Sequence, residues 1–218
     1  MSNPVKRTYA TPRRDAKALA TKTAILDAAS RLFTTNGYVA STIQAIADEA
    51  DVAVQTVYAA FGNKRELLRQ LLESAVTGDV LADPVTTRPE RRALLAEPDA
   101  RRRAAIAAKM ATQISQRVAP LLRVLNEAAA SDPDFAATAA QISQRRREDV
   151  TRAAATLAPP GTRKAELGRI AASLYALYNP DNYLALTDDF GWTARQYEAW
   201  LAEALYRMVT RGTDDSSR

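Results

Sequence analysis

Apolar residues recur every three or four positions along almost the whole chain, which is the spacing of an amphipathic helix. No segment alternates β-branched and polar residues over the length of a strand, so the pattern predicts an all-α protein. The first helix is expected at about residues 15–35, ending where Asn36-Gly37 offers a left-handed residue. Its apolar face carries Ile25, Leu26, Ala29, Leu32 and Phe33.

Two short helices are expected after the first one. Ser41 and Gln44 have the Ser/Thr-x-x-Gln spacing of a capping box, which predicts a helix from there to about Ala50. A second apolar-periodic run covers residues 54–61. Two short helices joined by a tight turn are typical of a helix-turn-helix.

A second capping box, formed by Asn63 and Glu66, opens a leucine-rich helix. Residues 78–87, which include Pro84, predict the connection to a second region in which prolines interrupt the helical periodicity. Further helices are expected at about 90–97, 99–116, 118–131, 133–158, 163–178 and 194–210. The chain is thus divided into a basic arm with the start of the first helix at 1–22, a helix-turn-helix domain at 15–76 and a helical domain at 84–212.

Composition excludes several kinds of chemistry. The 218 residues include no histidine and no cysteine, which excludes a Ser-His-Asp triad, a cysteine nucleophile, a thiolate or imidazole zinc site and a disulfide. The seven glycines lack the spacing of a dinucleotide-binding or phosphate-binding loop. We therefore expect no cofactor, no metal site and no enzymatic activity. The competing enzyme hypothesis depends on Asp188 and Asp189, adjacent loop carboxylates without a base or metal cluster beside them.

Positive charge is concentrated at the N-terminus. Residues 1–22 hold six lysines and arginines against one aspartate, an excess equal to the formal charge of +5 of the whole chain. A cationic arm ahead of a neutral body indicates a polyanionic partner, although a solubilising disordered tail is the alternative at this point. No apolar leader or membrane-spanning stretch is present, which predicts a cytoplasmic protein without a membrane partner.

Residues 24–72 resemble the DNA-binding domain of the TetR family of bacterial transcriptional regulators. The shared patterns are A-x-x-L-F-x-x-x-G-Y in the first helix, T-x-x-x-I-A in the second, T-x-Y-x-x-F in the third and F-x-N-K-x-x-L at the start of the fourth. Asp51 departs from the usual glycine, and Ala53 departs from the serine that usually caps the third helix. Asp51 is a candidate for the left-handed turn, because aspartate tolerates that conformation better than most residues.

The resemblance implies that the third helix enters the major groove. Val54, Gln55 and Thr56 would then face base edges. Gln55 can hydrogen-bond adenine, Thr56 can contact a phosphate or a base, and Val54 offers apolar contact to a thymine methyl. Plain packing is the alternative for Val54. The residues assigned to the core of this domain are Phe33, Tyr38, Ile43, Ile46, Val57 and Phe61.

The same resemblance implies phosphate contacts around that helix. Thr42 would donate to a phosphate beside the amides at the start of the second helix, while Tyr58 and Lys64 would bind further phosphates. The alternatives are an amphipathic core edge for Tyr58 and a solvated helix terminus for Lys64. With this motif present, the basic arm is interpreted as a contact to DNA of any sequence, and its expected phosphate ligands are Arg13, Arg14 and Lys17.

A single recognition helix contacts only a few base pairs, so the resemblance implies a homodimer on a palindromic operator in double-stranded DNA. The family dimerises through its last two long helices, here about 163–178 and 194–210. The expected interface comprises Leu167, Ile170, Ala171, Leu174, Trp200, Leu201, Ala204 and Leu205. Eight of the 14 aromatic residues lie between Tyr175 and Tyr206, an enrichment typical of interfaces. An ordinary core within one chain is the alternative.

The family also binds small-molecule effectors, so the resemblance implies a pocket among the helices of residues 99–178. Its expected wall is aliphatic, and the candidate contacts are Met110, Gln113, Arg117, Asn126, Gln141 and Tyr178. Each polar candidate is alternatively a residue of the helix surface. The triplets Arg101-Arg102-Arg103 and Arg145-Arg146-Arg147 look like solvated helix faces that could also attract an anionic effector.

Together these features predict a DNA-binding transcriptional regulator, a repressor released from its operator by an unidentified effector. The alternative is a DNA-binding dimer or activator that responds to no ligand. A cavity of several hundred Å³ would favour the first, and a fully packed interior would favour the second.

Overall fold

The structure is a computed structural model that describes residues 12–78, 89–130 and 133–214 of the chain. Every regular element in these ranges is helical, which confirms the all-α expectation. The chain divides into two compact units, Met1–Leu71 and Leu72–Arg218. The predicted connection lies outside the described residues from 79 onwards, which includes Pro84, and so do the first 11 residues.

The first unit begins with a helix that is longer than the sequence pattern predicts. Helix α1 spans Pro12–Ala40, starting three residues before and ending five residues after the expected bounds. Gly37 interrupts it with φ 77° and ψ 169°, so the predicted left-handed residue is present, and one more helical turn follows it. Four of the five apolar residues expected on its inner face are buried, namely Ile25, Leu26, Ala29 and Phe33.

Helix α2 spans Ile43–Glu49, and its cap differs from the predicted one. The Thr42 side chain, rather than Ser41, accepts a hydrogen bond from the Ala45 amide at 3.0 Å. Ser41 is buried and donates to the Gly37 carbonyl at 2.8 Å, while Gln44 donates to Asp48. The predicted Ser41–Gln44 capping box is therefore wrong by one residue, because the hydroxyl of Ser41 closes the preceding turn instead.

Helix α3 spans Val54–Phe61, with the bounds that its periodicity predicts. Asp51 adopts φ 53° in the turn before it, which confirms the left-handed role proposed for this residue. Ala53 occupies the N-cap position without a side-chain hydrogen bond, so the helix begins uncapped by any side chain. Val57 and Phe61 are buried and anchor α3 in the core of the first unit.

Helix α4 spans Lys64–Thr77 and carries the division between the units at Leu71. The Asn63 side chain accepts from the Glu66 amide at 2.9 Å, which is one half of the predicted capping box. The other half is absent, because the Glu66 carboxylate instead accepts from Arg69 and Gln70.

The second unit contains α5 (Pro89–Ala96), α6 (Ala100–Ala129), α7 (Pro133–Leu157), α8 (Lys164–Leu177), α9 (Pro180–Leu184), a π-helical turn at Ala185–Asp189 and α10 (Ala194–Asp214).

Helix α6 runs through Pro120 without a break, so the two helices predicted at 99–116 and 118–131 are one. A proline inside a helix costs about 3 kcal/mol. Apolar residues buried on both sides of it, such as Val118 and Leu125, offset that cost by packing.

The core of the second unit is formed around α6 and α10, which pack along each other, with α7 and α8 beside them. Alanines at 104, 107, 108, 119 and 154 are buried there and allow the helices to approach closely. Helix α9 and the π-helical turn were expected to be a loop. The Asn179 side chain caps α9 by accepting from the Asp181 amide, with Pro180 at the first helical position.

Candidate nucleic-acid interface and second-unit cavity

The outer face of α3 presents the polar side chains expected to contact bases. Gln55 is exposed, and Thr56 and Val54 are half-buried at the start of the helix. Val57 and Phe61 fix the opposite face in the core. The inner face of α3 is thus fixed in the core. The side-chain amide of Gln55 and the hydroxyl of Thr56 on its first turn supply the donors and acceptors that base edges in a major groove require.

Thr42 has a hydroxyl that is free to donate from the start of α2. The side chain is exposed, and its oxygen accepts from the Ala45 amide, which leaves the O–H proton for another acceptor. Tyr58 lies on α3 with 51% of its surface exposed, which is unusual for a residue as large and aromatic as tyrosine. Both hydroxyls are therefore presented to solvent, as the expected phosphate contacts require.

Lys64 is tied to its own unit. Its ammonium donates to the carbonyls of Tyr38 and Ser41, both at 2.9 Å, and lies 4.1 Å from the centre of the Tyr38 ring. Burial lowers the pKa of Lys64. One of its three N–H donors remains for a phosphate, so the structure gives Lys64 a supporting role that sequence reasoning missed: it joins the end of α1, the start of α2 and the start of α4.

Three basic residues expected in the arm lie on a helix. Arg13, Arg14 and Lys17 belong to the first turns of α1, and Lys17 is exposed. The arm is therefore helical from Pro12 onwards, rather than from about residue 15 as the sequence pattern predicts. The remaining basic residues near its start, Lys6 and Arg7, lie outside the described residues.

A cavity of about 170 Å³ lies in the second unit, between α6, α7 and the start of α9. Leu122, Leu125 and Ile142 contribute apolar wall, and Arg146 lines it as a cation. Of the six pocket residues predicted from the sequence, Asn126 lines this cavity. The sequence clue to Arg146 was its place in an arginine triplet, but three adjacent arginines point in three directions around a helix and the pattern cannot select one.

The other five predicted pocket residues lie elsewhere. Met110 and Tyr178 pack against the core of the second unit, and burial raises the pKa of the Tyr178 hydroxyl. Gln113 and Gln141 are exposed. Arg117 donates from Nε to the Ala75 carbonyl at 2.8 Å, in the last turn of α4. None of these five lines this cavity, because their faces of α6, α7 and α8 turn towards the core or the solvent.

The residues predicted for the dimer interface differ in exposure. Ile170, Leu174, Leu201 and Leu205 are at most 2% exposed within one chain, so they pack in the core of the second unit. The periodicity of an amphipathic helix shows that a face is buried but not by which chain. The expected residues that retain exposed surface are Leu167, Ala171, Trp200 and Ala204.

The aromatic enrichment near the C-terminus is largely an internal cluster. Tyr197 is buried, with its ring centre 5.0 Å from that of Tyr183 and 5.5 Å from that of Trp200. Trp192 meets Trp200 edge to face at 6.3 Å. Burial raises the pKa of Tyr197 to about 12. Phe190, 73% exposed beside the π-helical turn, is the large aromatic side chain of this group that remains open to solvent.

Neither a membrane span nor an acidic metal cluster occurs within the described residues. No described helix is long and apolar enough to cross a membrane. No group of three or more acidic side chains in these same ranges is arranged to hold a metal ion.

The first unit thus contains the short capped helix α2, a left-handed turn at Asp51 and helix α3, whose inner face is buried. The Thr42 hydroxyl is exposed at the start of α2, and the Gln55 amide is exposed at the start of α3. These features define the class: a helix-turn-helix DNA-binding regulator. Residues 25–71 match the family described as bacterial regulatory proteins, tetR family. This match covers 47 of the 218 residues and agrees with the resemblance that the sequence motifs gave.

Solved structures share the fold over most of the chain. A fatty acid degradation regulator, FadR from Bacillus halodurans, is 17% identical with a TM-score of 0.56, covering 85% of this chain and 94% of its own. A TetR-family member from Streptomyces coelicolor A3 is 22% identical with a TM-score of 0.58, covering 87% and 98%. The multidrug binding protein EbrR, complexed with imidazole, is 22% identical with a TM-score of 0.54, covering 94% and 97%. Among curated proteins, none matches the chain.

Proposed function

We propose that the protein is a homodimeric transcriptional repressor that binds a palindromic operator and is released by a small-molecule effector. The observation that carries the proposal is the outer face of α3, where Gln55 and Tyr58 are exposed while Val57 and Phe61 fix the helix in the core. Such a helix supplies base contacts and phosphate contacts from one rigid element.

The homodimer follows from the small number of bases that one recognition helix contacts. Two copies on half-sites about one helical turn apart double the sequence that is recognised. Leu167, Ala171, Trp200 and Ala204 retain exposed surface on α8 and α10 and form the proposed contact. The protein acts by binding rather than by catalysis, in the cytoplasm where its DNA is found.

Release by an effector requires that the effector bind one state of the dimer more tightly than the other. A coupling free energy of about 1–3 kcal/mol is typical and lowers operator affinity about 5-fold to 150-fold. The cavity in the second unit supports a ligand. One structural relative supports it by its description as a multidrug binding protein in complex with imidazole.

The test begins with selection of bound sequences from random double-stranded DNA. We expect a palindromic consensus, and Gln55→Ala should lower affinity for it about 10-fold while leaving affinity for unrelated DNA unchanged, because a bidentate contact to adenine is worth about 1–3 kcal/mol. Gln141→Ala, an exposed glutamine in the second unit, is the matched control. Absence of any enriched sequence, or an equal loss in the control, would contradict the proposal.

A second candidate is a DNA-binding dimer or activator that responds to no ligand. The size of the cavity favours it, since about 170 Å³ is below the 300–1,000 Å³ of ordinary ligand pockets. A reporter gene under the selected operator distinguishes a repressor from an activator. Expression that rises when the chain is absent indicates a repressor, and expression that falls indicates an activator.

A further inference from the structure

The cavity in the second unit is lined by an arginine that has no acidic partner among the described residues. Arg146 projects from α7 and stacks on the Tyr175 ring, with its guanidinium carbon 4.1 Å from the ring centre. One of its Nη atoms donates to the Asn179 side chain at a long 3.4 Å. Its Nε is shielded from solvent and has no hydrogen-bond acceptor among the described residues. A guanidinium N–H can only donate, so this shielded group lacks the acceptor that a buried donor ordinarily has.

The neighbouring arginines of the triplet have the usual surroundings of an arginine, which are an ion pair or solvent. Arg145 pairs with Glu73 at 3.0 Å, and Arg147 is exposed to solvent. The acidic residues that follow on α7 are used elsewhere, since Glu148 accepts from Gln144 and Asp149 pairs with Arg152. Within the described residues, no carboxylate lies within ion-pairing distance of Arg146.

Other polar groups surround the same cation. The hydroxyl of Ser143 and the side-chain amide of Asn126 line the cavity and hold no hydrogen bond within the described part of the chain. Asp181 also lines it, as an exposed carboxylate. One arginine and one carboxylate both line the cavity, which favours a ligand with a single negative charge, because Asp181 repels a second negative charge.

The rest of the cavity is apolar and small. Leu122, Leu125 and Ile142 contribute apolar side chains to the lining. A protein cavity of about 150 Å³ lined by apolar residues holds benzene, so one of about 170 Å³ takes a body of that size and little more.

We propose that this cavity binds a small monocarboxylate of about the size of benzoate or hexanoate. The carboxylate accepts from Arg146 in place of the missing acidic partner, Ser143 and Asn126 complete its hydrogen bonds, and the apolar body packs on the leucine and isoleucine wall. That this ligand is also the effector is a step that rests on the proposed function.

The test is calorimetric titration of the full chain with benzoate and hexanoate at low ionic strength, each compared with its uncharged analogue, benzamide or 1-hexanol. We expect at least one carboxylate to bind 10-fold or more tightly than its analogue. Comparison of ligand pairs on the wild-type protein does not depend on any variant folding. Equal affinity within both pairs, or no binding at all, overturns the proposal.

Variants locate the site. Arg146→Gln should lower carboxylate affinity at least 10-fold, whereas Arg147→Gln, one residue away on the exposed face, should leave it unchanged; circular dichroism checks that both variants fold. An equal loss in both variants overturns the assignment to Arg146. Succinate or inorganic phosphate binding more tightly than either monocarboxylate overturns the single-charge specificity.

Operator binding, measured separately, distinguishes the two proposals. If the carboxylate binds and no DNA sequence is selected, the cavity assignment stands and the proposed function fails. If DNA is bound and no carboxylate binds, the reverse holds. If the carboxylate binds and operator affinity does not change, the site stands and its role as the effector site is overturned.

Discussion

At the scale of single residues, the first unit depends on side chains that satisfy backbone carbonyls and turns. Lys64 donates to two carbonyls from separate segments, and Ser41 donates to a third. Buried polar groups that lose their partners are costly, about 1–3 kcal/mol each. These residues hold the start of α2 in place, next to the exposed Thr42.

Replacing Lys64 tests this supporting role. Lys64→Met should lower the free energy of unfolding by about 1–3 kcal/mol, because the carbonyls of Tyr38 and Ser41 lose their donor. Urea unfolding followed by circular dichroism measures the change. Lys109→Met, at an exposed position of α6, is the control and should be close to neutral. Equal stability of the two variants would show that Lys64 supports nothing.

The Glu66 carboxylate predicts a pH dependence. Its hydrogen bond from Arg69 lowers its pKa to about 2, from 4.5. Because the folded pKa is depressed, the stabilisation is present above about pH 4.5 and is lost as the pH falls towards 2. The pair is about one third exposed, so solvent screening limits its contribution to about 1 kcal/mol or less.

Thermal unfolding at pH 7, 4 and 2.5 measures this contribution. Glu66→Gln should lose stability at pH 7 and approach the wild type at pH 2.5, where the wild-type carboxylate is becoming protonated. Glu90→Gln, in the first turn of α5, should keep the wild-type pH profile. A constant difference between Glu66→Gln and the wild type at all three pH values would contradict the assignment.

At the scale of elements, α3 lacks the side-chain N-cap that the helices before and after it have. Helices α2 and α4 are capped by the side chains of Thr42 and Asn63, whereas α3 follows Ala53 without a side-chain bond. The Ala53 backbone already has the extended conformation of an N-cap, with φ −68° and ψ 145°. A capping side chain can therefore be added without moving the chain.

Ala53→Ser should raise the free energy of unfolding by about 0.5–2 kcal/mol, because the serine oxygen can accept from a backbone amide in the first turn of α3. Differential scanning calorimetry measures the shift. Ala53→Gly is the comparison, since glycine provides the backbone freedom of a cap without an oxygen. A serine variant no more stable than the glycine variant would mean that the start of α3 needs no side-chain acceptor.

At the scale of the whole molecule, the excess positive charge and the side chains proposed to contact bases lie on separate parts of the chain. Residues 1–22 hold an excess of positive charge equal to that of the entire chain, and the side chains proposed to contact bases lie on α3. Because α1 begins at Pro12, part of this charge is presented by a helix. Affinity for DNA of any sequence should therefore depend on the N-terminus, and sequence preference on α3.

Deleting residues 2–11 tests this separation and leaves α1 intact. Removal of Lys6 and Arg7 should weaken binding to all DNA and reduce the slope of log affinity against log salt by about 0.9 for each phosphate that is no longer neutralised. The preferred sequence should not change. Replacing Lys6 and Arg7 together by Gln, with the length retained, should reproduce the effect. A changed consensus would instead mean that these residues contact bases.

The sequence by itself determined the helical class, the bounds of α3 and the class of DNA-binding domain. These depend on local periodicity, turn residues such as Asp51 and a motif of short span, all of which act between neighbours in the chain. The local pattern gave wrong predictions where packing between distant segments determines whether a helix continues or which residues are buried. Helix α6 continues through Pro120 because apolar residues on both sides bury against other helices. Ile170 and Leu201 have an interfacial spacing and lie in the core, and Arg146, one of three adjacent arginines, lies in the cavity. Which chain covers a face, and which of three adjacent arginines lines the cavity, are set by residues distant in sequence, so only the tertiary structure decides them.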